Sequence, residues 1–284
     1  MKIKIFIKKI ISYFINFIFP NHVRGFLIQI DKFKFICPIQ DMEVTRQLLF
    51  QKGYENKEIL FIQNLVNQDS EIIFLGAHIG VHVVRIADKV KKIHAVEANP
   101  YSYDLLKINC QLNNLKNVEL YNFAIGERDA KIQLLVNSVN TGGSKREPIV
   151  KKKMYYDKDT KLIQTPLKKG DNIFEKISEI DLIVMDIEGS EYFALLGMKE
   201  TLKKTITLII EFIPHHLKNV SSTSINEYIE LITQYFNYLY IPSQKIYLDN
   251  YEQIKKKLEH MYYNNTNDNG IIFPKKKIKY KDFT

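Results

Sequence analysis

The stretch IFLGAHIG, from Ile73 to Gly80, decides how this chain is expected to fold. It begins as an apolar run and ends in two glycines four residues apart, Gly76 and Gly80. Such a run is typical of a buried strand, and a glycine permits the tight turn from a strand into a helix. The small Ala77 lets backbone N–H groups approach a ligand closely. The stretch therefore predicts a strand, a ligand-binding turn and a helix in succession.

The same alternation of strand and helix continues along the chain. Apolar runs predict strands at 72–75, 93–96, 118–123, 131–136, 181–185, 207–212 and 270–273. Helical spacing predicts helices at 51–66, 81–90, 101–113, 192–203 and 225–236. This rhythm favours the α/β class, with a doubly wound, Rossmann-like sheet and helices on both faces.

Composition divides the chain into three parts. Residues 1–50 form a basic and apolar extension with a hairpin-like alternation at 25–38, residues 51–273 the α/β domain, and residues 274–284 a basic tail. The polar stretch at about 145–165 is predicted to be a loop inserted on the working edge of the sheet.

The totals restrict the functional classes only loosely. The chain has 284 residues, 45% of them hydrophobic, and a formal net charge of +9. A substantial core is therefore expected, and the thinly spread lysines favour a solvated surface over a nucleic-acid patch. The two cysteines, Cys37 and Cys110, lack metal-ligand spacing. We expect no disulfide framework, no metal site and a cytoplasmic location.

The N-terminal segment MKIKIFIKKIISYFINFIFP mixes lysines with apolar residues. Its longest uncharged run, Ile10 to Phe19, is well short of the roughly 20 residues that a spanning helix needs. No cleavage site of a signal peptide follows it. Two interpretations stay open for residues 1–20: a helix packed on the domain, or an in-plane helix that contacts a membrane surface.

Ligands of open α/β sheets bind beyond the carboxyl ends of the strands, so the residues after each apolar run are candidates. The segment VEANP places Glu97 and Ala98 at the second of these exits, about twenty residues after the glycine turn. An acid at this place binds ribose hydroxyls in nucleotide-binding folds. The turn and the acid together indicate a cofactor that contains a nucleoside.

The segment MDIEGSE, residues 185–191, crowds three acids at the third exit: Asp186, Glu188 and Glu191. Capping of a helix accounts for one of them but not for three. Crowded carboxylates in a cleft have pKa values that are pushed apart, which suits general-base catalysis or acceptor binding.

The segment IIEFIPHH, residues 209–216, forms the fourth exit. Glu211 lies in or just beyond a buried strand, where a carboxylate needs a partner or a cleft. His215 and His216 follow in a predicted loop, and either one is a candidate proton acceptor near neutral pH.

Together these segments resemble the FkbM-type S-adenosylmethionine-dependent methyltransferases, from about Glu55 to Glu211. The most specific part is DLIVMDIEGSE followed by an apolar helix and LIIEF. The other matching segments are YE at 54–55, IFLGAHIG, AVEANP, LKINCQLNN, NFAIGERD and TGGS at 141–144. The resemblance implies a seven-stranded sheet, S-adenosylmethionine as cofactor, and methyl transfer to a hydroxyl of a sugar, glycan or small metabolite.

The resemblance also implies roles for individual residues. The cofactor would lie along residues of the first exits and of the third strand's end, namely Gly76, Ala77, His78, Gly80, Glu97, Ala98, Asn122, Phe123 and Ala124. The acceptor would lie among catalytic residues of the later exits, namely Asp186, Glu188, Glu211 and His215, and a carboxylate or His215 would take its proton.

The chain departs from the family pattern at three places. Phe74 stands where the family usually has an acid, His78 where it has an asparagine, and Val184 where it has a lysine. Two alternatives stay open: an RNA methyltransferase that binds phosphates through the lysine runs, and a non-catalytic member that keeps the fold as a binding or scaffold module. The sequence has no NPPY- or DPPR-like acceptor motif, which disfavours RNA.

Overall fold

The structure, a computed structural model, describes residues 25–41, 43–50 and 56–277. The basic segment 1–20, the YE pair at 54–55 and the end of the basic tail lie outside these residues. Within the described ranges, no helix combines the length and the apolar character needed to cross a bilayer.

The strands are β1 (Gly25–Ile30), β2 (Phe33–Pro38), β3 (Glu71–Leu75), β4 (Lys92–Val96), β5 (Val118–Tyr121), β6 (Ala124–Gly126), β7 (Ala130–Asn137), β8 (Lys145–Arg146), β9 (Thr160–Lys169), β10 (Ile180–Met185), β11 (Thr205–Phe212), β12 (Leu239–Ile241), β13 (Ile246–Leu248) and β14 (Asp268–Pro274). The helices are α1 (Val44–Phe50), α2 (Asn56–Leu65), α3 (Val81–Ile86), α4 (Pro100–Leu112), α5 (Gly170–Ile173), α6 (Glu191–Gly197), α7 (Lys199–Lys203), α8 (Pro214–Asn219), α9 (Ile225–Thr233) and α10 (Tyr251–Tyr263).

The main sheet has the strand order β13-β12-β14-β11-β10-β3-β4-β5. The five strands from β11 to β5 are parallel, and β14, β12 and β13 pair antiparallel at the far edge. The sheet is doubly wound, as expected, but it contains eight strands and not seven. The additional strands β12 and β13 are not among the strands predicted from the sequence, because each is only three residues long.

Two hydrophobic clusters lie on opposite faces of this sheet. One joins the sheet to α6, α7, α9 and α10, and the other joins it to α2, α3 and α4. Neighbouring residues of β10 divide between the clusters, since Ile183 and Met185 belong to the first and Leu182 and Val184 to the second. This alternation is typical of a strand that is buried on both faces, and it explains the continuous apolar runs in the sequence.

The predicted insertion at about 145–165 is not an irregular loop. It contributes β8 and the start of β9 to a second sheet of four strands, with the order β6-β9-β7-β8. The strand predicted at 131–136 also belongs there, because β7 pairs with β9 over eight residue positions. The insertion therefore carries a folded wall next to the carboxyl edge of the main sheet.

Two further predictions need correction and one is confirmed. The helix predicted at 192–203 is two short helices that meet at Met198, and the segment with His215 and His216 is helix α8 and not a loop. The hairpin predicted at 25–38 is present, with β1 and β2 in antiparallel register.

Candidate functional site

A cavity of about 490 Å³ opens where β3, β4, β10 and β11 end. One residue at each of these ends lines it: Gly76, Glu97, Asp186 and Glu211. The chain leaves β3 toward β4 on one side, while β10 lies on its other side, so β3 is the switch point of the sheet. Ligands of doubly wound sheets bind at such a point. The four exits named from the sequence share one crevice.

Close packing of two strand ends explains the glycine at position 76. Gly76 has a φ of +85°, and a Cβ there would lie 1.8 Å from the carbonyl oxygen of Asp186. The Asp186 N–H donates to the carbonyl of Leu75 at 3.0 Å, so the ends of β3 and β10 are joined directly. This contact holds the glycine turn and the first acid of MDIEGSE side by side.

The backbone N–H groups of the glycine turn are used within the protein, contrary to our expectation. Those of Gly76 and Ala77 both donate to the carbonyl of Val96 at 3.0 Å. The N–H of His78 donates to the Glu97 carboxylate at 2.8 Å. The turn is therefore fixed to the end of β4, and it presents mainly its small residues and the His78 ring to the cavity.

Glu97 is buried at the cavity wall, with 7% of its surface exposed. Its second carboxylate oxygen accepts from the Asn99 N–H at 2.8 Å. Burial raises the pKa of Glu97 to about 7, although its hydrogen bonds with backbone N–H groups favour the charged form. An ionised Glu97 keeps further lone pairs that can accept hydrogen bonds from a ligand's hydroxyl groups.

The carboxylates of Asp186, Glu188 and Glu211 line the other end of the cavity. Burial, and then the charges of Asp186, Glu188 and Glu191, raise the pKa of Glu211 to about 11, so Glu211 is neutral near pH 7. Glu191 does not line the cavity; its carboxylate accepts from the backbone N–H of Ile187 at 3.1 Å. One acid of the predicted trio is therefore structural, and the other two face the cavity with Glu211.

A cation that sequence reasoning missed balances this cluster. The ammonium of Lys145, on β8, lies 2.7 Å from a carboxylate oxygen of Glu188. The exposed fractions of the two side chains are 11% and 22%. Lys145 directly follows the TGGS segment and begins the stretch that was predicted to be an inserted loop, where the sequence indicated no role for it.

His216, and not its neighbour His215, faces this charge cluster. The Nε2 atom of His216 lies 3.5 Å from both the Lys145 ammonium and a Glu188 oxygen. Burial and the charge of Lys145 lower the pKa of His216 to about 2, so its ring is neutral. Neither histidine lines the cavity, and the Nδ1 of His215 lies 2.9 Å from the hydroxyl of Tyr155. The structure thus places His215 outside the proposed catalytic group.

The same cluster contains a donor set of the kind that binds metals. One donor atom each of Glu188, Glu211 and His216 lie within 4.8 Å of one another. Two carboxylates and an imidazole are suitable ligands for a divalent cation. The ammonium of Lys145 already supplies a positive charge at Glu188, so a metal ion is not needed to balance the charge of this carboxylate.

Of the other residues predicted to bind the cofactor, five line the cavity and two lie behind its wall. Ala77, His78, Ala98, Phe123 and Ala124 line the cavity. Gly80 and Asn122 do not: Gly80 caps α3 with a φ of 87°, and the Asn122 side chain donates to the backbone carbonyl of Glu97 at 2.9 Å. These two residues support the wall from behind.

Phe74 does not obstruct the cavity. It is 3% exposed and belongs to the cluster on the face of α2, α3 and α4, where its ring stacks on His82 at a centroid distance of 6.4 Å. Phe74 and Val184 are register partners on the adjacent strands β3 and β10. The two strand positions that depart from the family pattern therefore lie side by side.

The residues present fit S-adenosylmethionine. Phe123 and Ala124, together with Ile125, give the cavity wall an apolar stretch suited to a purine ring, close to the acceptor Glu97. A Cβ at Gly76 would clash with the opposing strand, so only glycine allows this close approach of the turn. The cavity volume also lies in the usual range for cofactor sites.

Comparison with known proteins gives three similarities. A 59-residue stretch is 34% identical to uncharacterized protein MJ1452 of Methanocaldococcus jannaschii, and it spans 21% of this chain and 23% of that protein. An rRNA methylase of Streptococcus thermophilus is 12% identical, with a TM-score of 0.42 over 79% of this chain and 95% of that chain. TYW2 of M. jannaschii in complex with AdoMet is 12% identical, with a TM-score of 0.37 over 78% and 76% of the two chains.

A family model gives the broader match. The model described as the methyltransferase FkbM domain matches residues 75–241, which is more than half of the chain and includes all four strand ends at the cavity. The chain belongs to the methyltransferase FkbM domain family, and S-adenosylmethionine is its cofactor.

Proposed function

We propose that this methyltransferase acts on a hydroxyl oxygen of a sugar, glycan or small metabolite. The observation that carries the proposal is the arrangement of the cavity, where Glu97 lies at one strand end and Asp186, Glu188 and Glu211 lie at the others. The cavity therefore has two separate regions. The wall at Glu97 is suited to a nucleoside, and the region with the three other acids is suited to an acceptor that must lose a proton.

Each end of the cavity has its own task in this proposal. Gly76, Ala77, His78 and Glu97 would hold the cofactor, which would supply a methyl group on a positively charged sulfur when bound. The chain's remaining work is to orient the acceptor and remove its proton. The acceptor hydroxyl gains the methyl group and loses its proton to a carboxylate, and S-adenosylhomocysteine is the other product.

Among the carboxylates, we assign to Asp186 the role of the base that accepts the proton of the acceptor hydroxyl. Glu211 is neutral near pH 7, so it can donate a hydrogen bond to the acceptor but is a poor proton acceptor. Glu188 is engaged in an ion pair with Lys145 at 2.7 Å. Asp186 lines the cavity beside the glycine turn, next to the wall assigned to the cofactor.

The acidic region disfavours the RNA alternative. A nucleic-acid backbone would bring phosphate charges toward the carboxylates of Asp186 and Glu188, and like charges at close range repel each other. Lys145 and Arg146, the basic residues that line the cavity in the described part of the chain, are paired with Glu188 and Glu127. A neutral polyhydroxyl acceptor suits this region better.

The open cavity disfavours the non-catalytic alternative. A scaffold that no longer binds the cofactor does not need an open ligand site, and a bulky side chain such as that of Phe74 could have filled it. The Phe74 ring instead packs in the apolar cluster that includes α2, α3 and α4, and it does not line the cavity.

The experiment combines binding with transfer. Titration calorimetry measures the binding of S-adenosylhomocysteine, and separate extracts of glycans, metabolites and RNA are incubated with the protein and methyl-labelled S-adenosylmethionine. We expect the wild type to bind and to give a labelled product heavier by one methylene. Asp186→Asn should bind within a few-fold of the wild type and transfer nothing, and Asp104→Asn, on the exposed side of α4, should behave as wild type.

The outcomes separate the alternatives. No binding of S-adenosylhomocysteine by the wild type would favour the non-catalytic reading. Label that becomes soluble after ribonuclease treatment would favour RNA as acceptor. Full transfer by Asp186→Asn would refute the assignment of the base.

A further inference from the structure

The family match begins at residue 75, but residues that precede it in the chain also contribute to the cavity wall. Val44 and Gln47 on α1, and Glu43 just before this helix, also line the cavity. Residues 25–50, which comprise the β1–β2 hairpin, the connecting turn and α1, are called the N-terminal cap below. The cap lies outside the family match and completes the wall beside the glycine turn.

A buried acid fixes the cap. Asp41 is 1% exposed, and one carboxylate oxygen accepts from the N–H groups of Glu43 at 2.9 Å and Val44 at 2.8 Å, at the start of α1. The other oxygen accepts from the N–H of Thr141 at 3.0 Å and from the Thr141 hydroxyl. One carboxylate therefore joins the cap to the TGGS segment, 100 residues further along the chain.

The hydrogen bond from the Thr141 hydroxyl to Asp41 determines the direction of the bond between Thr141 and His78. The Thr141 hydroxyl lies 2.7 Å from the Nε2 of His78. A hydroxyl has one proton, and Thr141 donates it to the Asp41 carboxylate, which cannot donate. The Nε2 of His78 must therefore carry a proton and donate it to Thr141. The chain of donors runs from His78 through Thr141 to Asp41, and it fixes the imidazole in one orientation and one tautomer.

A second polar contact joins the cap to the glycine turn. The side chain of Asn109, fully buried on α4, accepts from the N–H of Ile36 at 2.6 Å and donates to the carbonyl of Ile79 at 2.8 Å. Ile36 belongs to the cap, and Ile79 follows His78 directly. The cap is thus linked to the His78 side chain through Thr141 and to the next residue, Ile79, through Asn109.

We propose that Asp41, Thr141 and His78 form a positioning relay through which the N-terminal cap sets the affinity of the cavity for the amino-acid end of S-adenosylmethionine. The inference rests on the proposed function, in which the purine lies against Phe123 and Ala124 and the ribose at Glu97; this leaves the glycine turn and His78 for the amino-acid end of the cofactor. His78 and Thr141 line the cavity, and the N–H of His78 donates to Glu97. Displacement of the His78 ring would therefore disturb the cavity wall next to Glu97. The hydrogen bond to Thr141 keeps the ring in place.

The relay is tested by Thr141→Val, which keeps the shape of the side chain and removes the hydroxyl. Calorimetry compares two ligands: S-adenosylhomocysteine, and methylthioadenosine, which has the adenosine but not the amino-acid end. Loss of the central hydrogen bonds should weaken S-adenosylhomocysteine about 3- to 10-fold, and methylthioadenosine less than about twofold. Thr141→Ser keeps the hydroxyl and should restore the wild-type ratio.

Thr233→Val is the matched control, because Thr233 donates to a carbonyl within α9, away from the cavity. Asp41→Asn is a second test if Thr141→Val does not fold, and it should change the affinity ratio in the same direction. An unchanged affinity of Thr141→Val for S-adenosylhomocysteine, or an equal loss for both ligands, would overturn the relay while the cofactor assignment stands. Failure of the wild type to bind either ligand would overturn the proposed function and the relay with it.

Discussion

Replacing Glu211 by glutamine should stabilise this protein, and the gain should grow with pH. Burial and the neighbouring carboxylates raise the pKa of Glu211 from 4.5 to about 11 in the folded state. In the unfolded chain the carboxyl ionises near its ordinary value. Below that value both states are protonated, and the group leaves stability unchanged. As pH rises above it, only the unfolded state releases the proton, and the folded state loses stability relative to it.

The size of the effect follows from the two pKa values. Each pH unit above about 4.5 costs the folded state about 1.4 kcal/mol until the folded pKa is reached, which gives about 4 kcal/mol at pH 7.5. Glu211 is only half-buried and its charged neighbours can relax, so we expect about 2–4 kcal/mol. Glutamine does not titrate, and its amide can replace the donor of a protonated carboxyl.

Urea denaturation between about pH 5 and about pH 8 measures the difference in the free energy of unfolding. The advantage of Glu211→Gln over the wild type should be near zero at the acid end and increase steadily with pH. Glu230→Gln, on the exposed side of α9, is the control and should show no such trend. A constant difference across the range would mean that Glu211 is ionised in the folded protein, and the assignment of Asp186 as the base would lose its argument.

Three further predictions test the site. Glu97, with a pKa raised to about 7, should bind the cofactor when ionised, so the affinity for S-adenosylhomocysteine should fall up to about tenfold from pH 8 to pH 6. The same calorimetry on Glu97→Gln should show little pH dependence, and equal slopes would contradict this. Lys145→Met should lower the free energy of unfolding by about 1–3 kcal/mol because it leaves the Glu188 charge unpaired, and Lys145→Arg should recover most of it in urea denaturation. Gly76→Ala should cost more than about 3 kcal/mol, since its φ and the opposing backbone both exclude a Cβ, whereas Gly270→Ala should cost less than about 1. Similar losses for the two glycine variants would refute that packing argument.

The strand ends at the cavity could be predicted because the signal for each is local. A buried parallel strand reads as a continuous apolar run, and parallel strands end at one edge of their sheet. Gly76, Glu97, Asp186 and Glu211 were found in this way, and the structure places all four in one cavity. No knowledge of the order of the strands was needed for this step.

The partners of these residues could not be predicted because they come from distant parts of the chain. Lys145 reaches Glu188 across 43 residues, and Thr141 reaches Asp41 across 100. Both contacts depend on the second sheet, whose strands β6, β8 and β9 alternate poorly between apolar and polar residues. For a related reason the sequence did not show which of His215 and His216 contacts the acid cluster, since the helix that they occupy was predicted to be a loop.

The positions of Phe74 and Val184 change the meaning of the departures from the family pattern. Because they are register partners in adjacent strands, an acid and a lysine at these positions would face each other as an ion pair. Exchanging both partners for apolar residues removes two charges together, and replacing a buried ion pair by packed apolar groups is often neutral for stability. A single exchange would have left one charge unpaired in the apolar cluster that contains Phe74. The positive charge at the acid cluster is supplied by Lys145, from the second sheet. The two departures therefore form one compensated change, and they leave the cavity open, its carboxylates in place and a cation beside them.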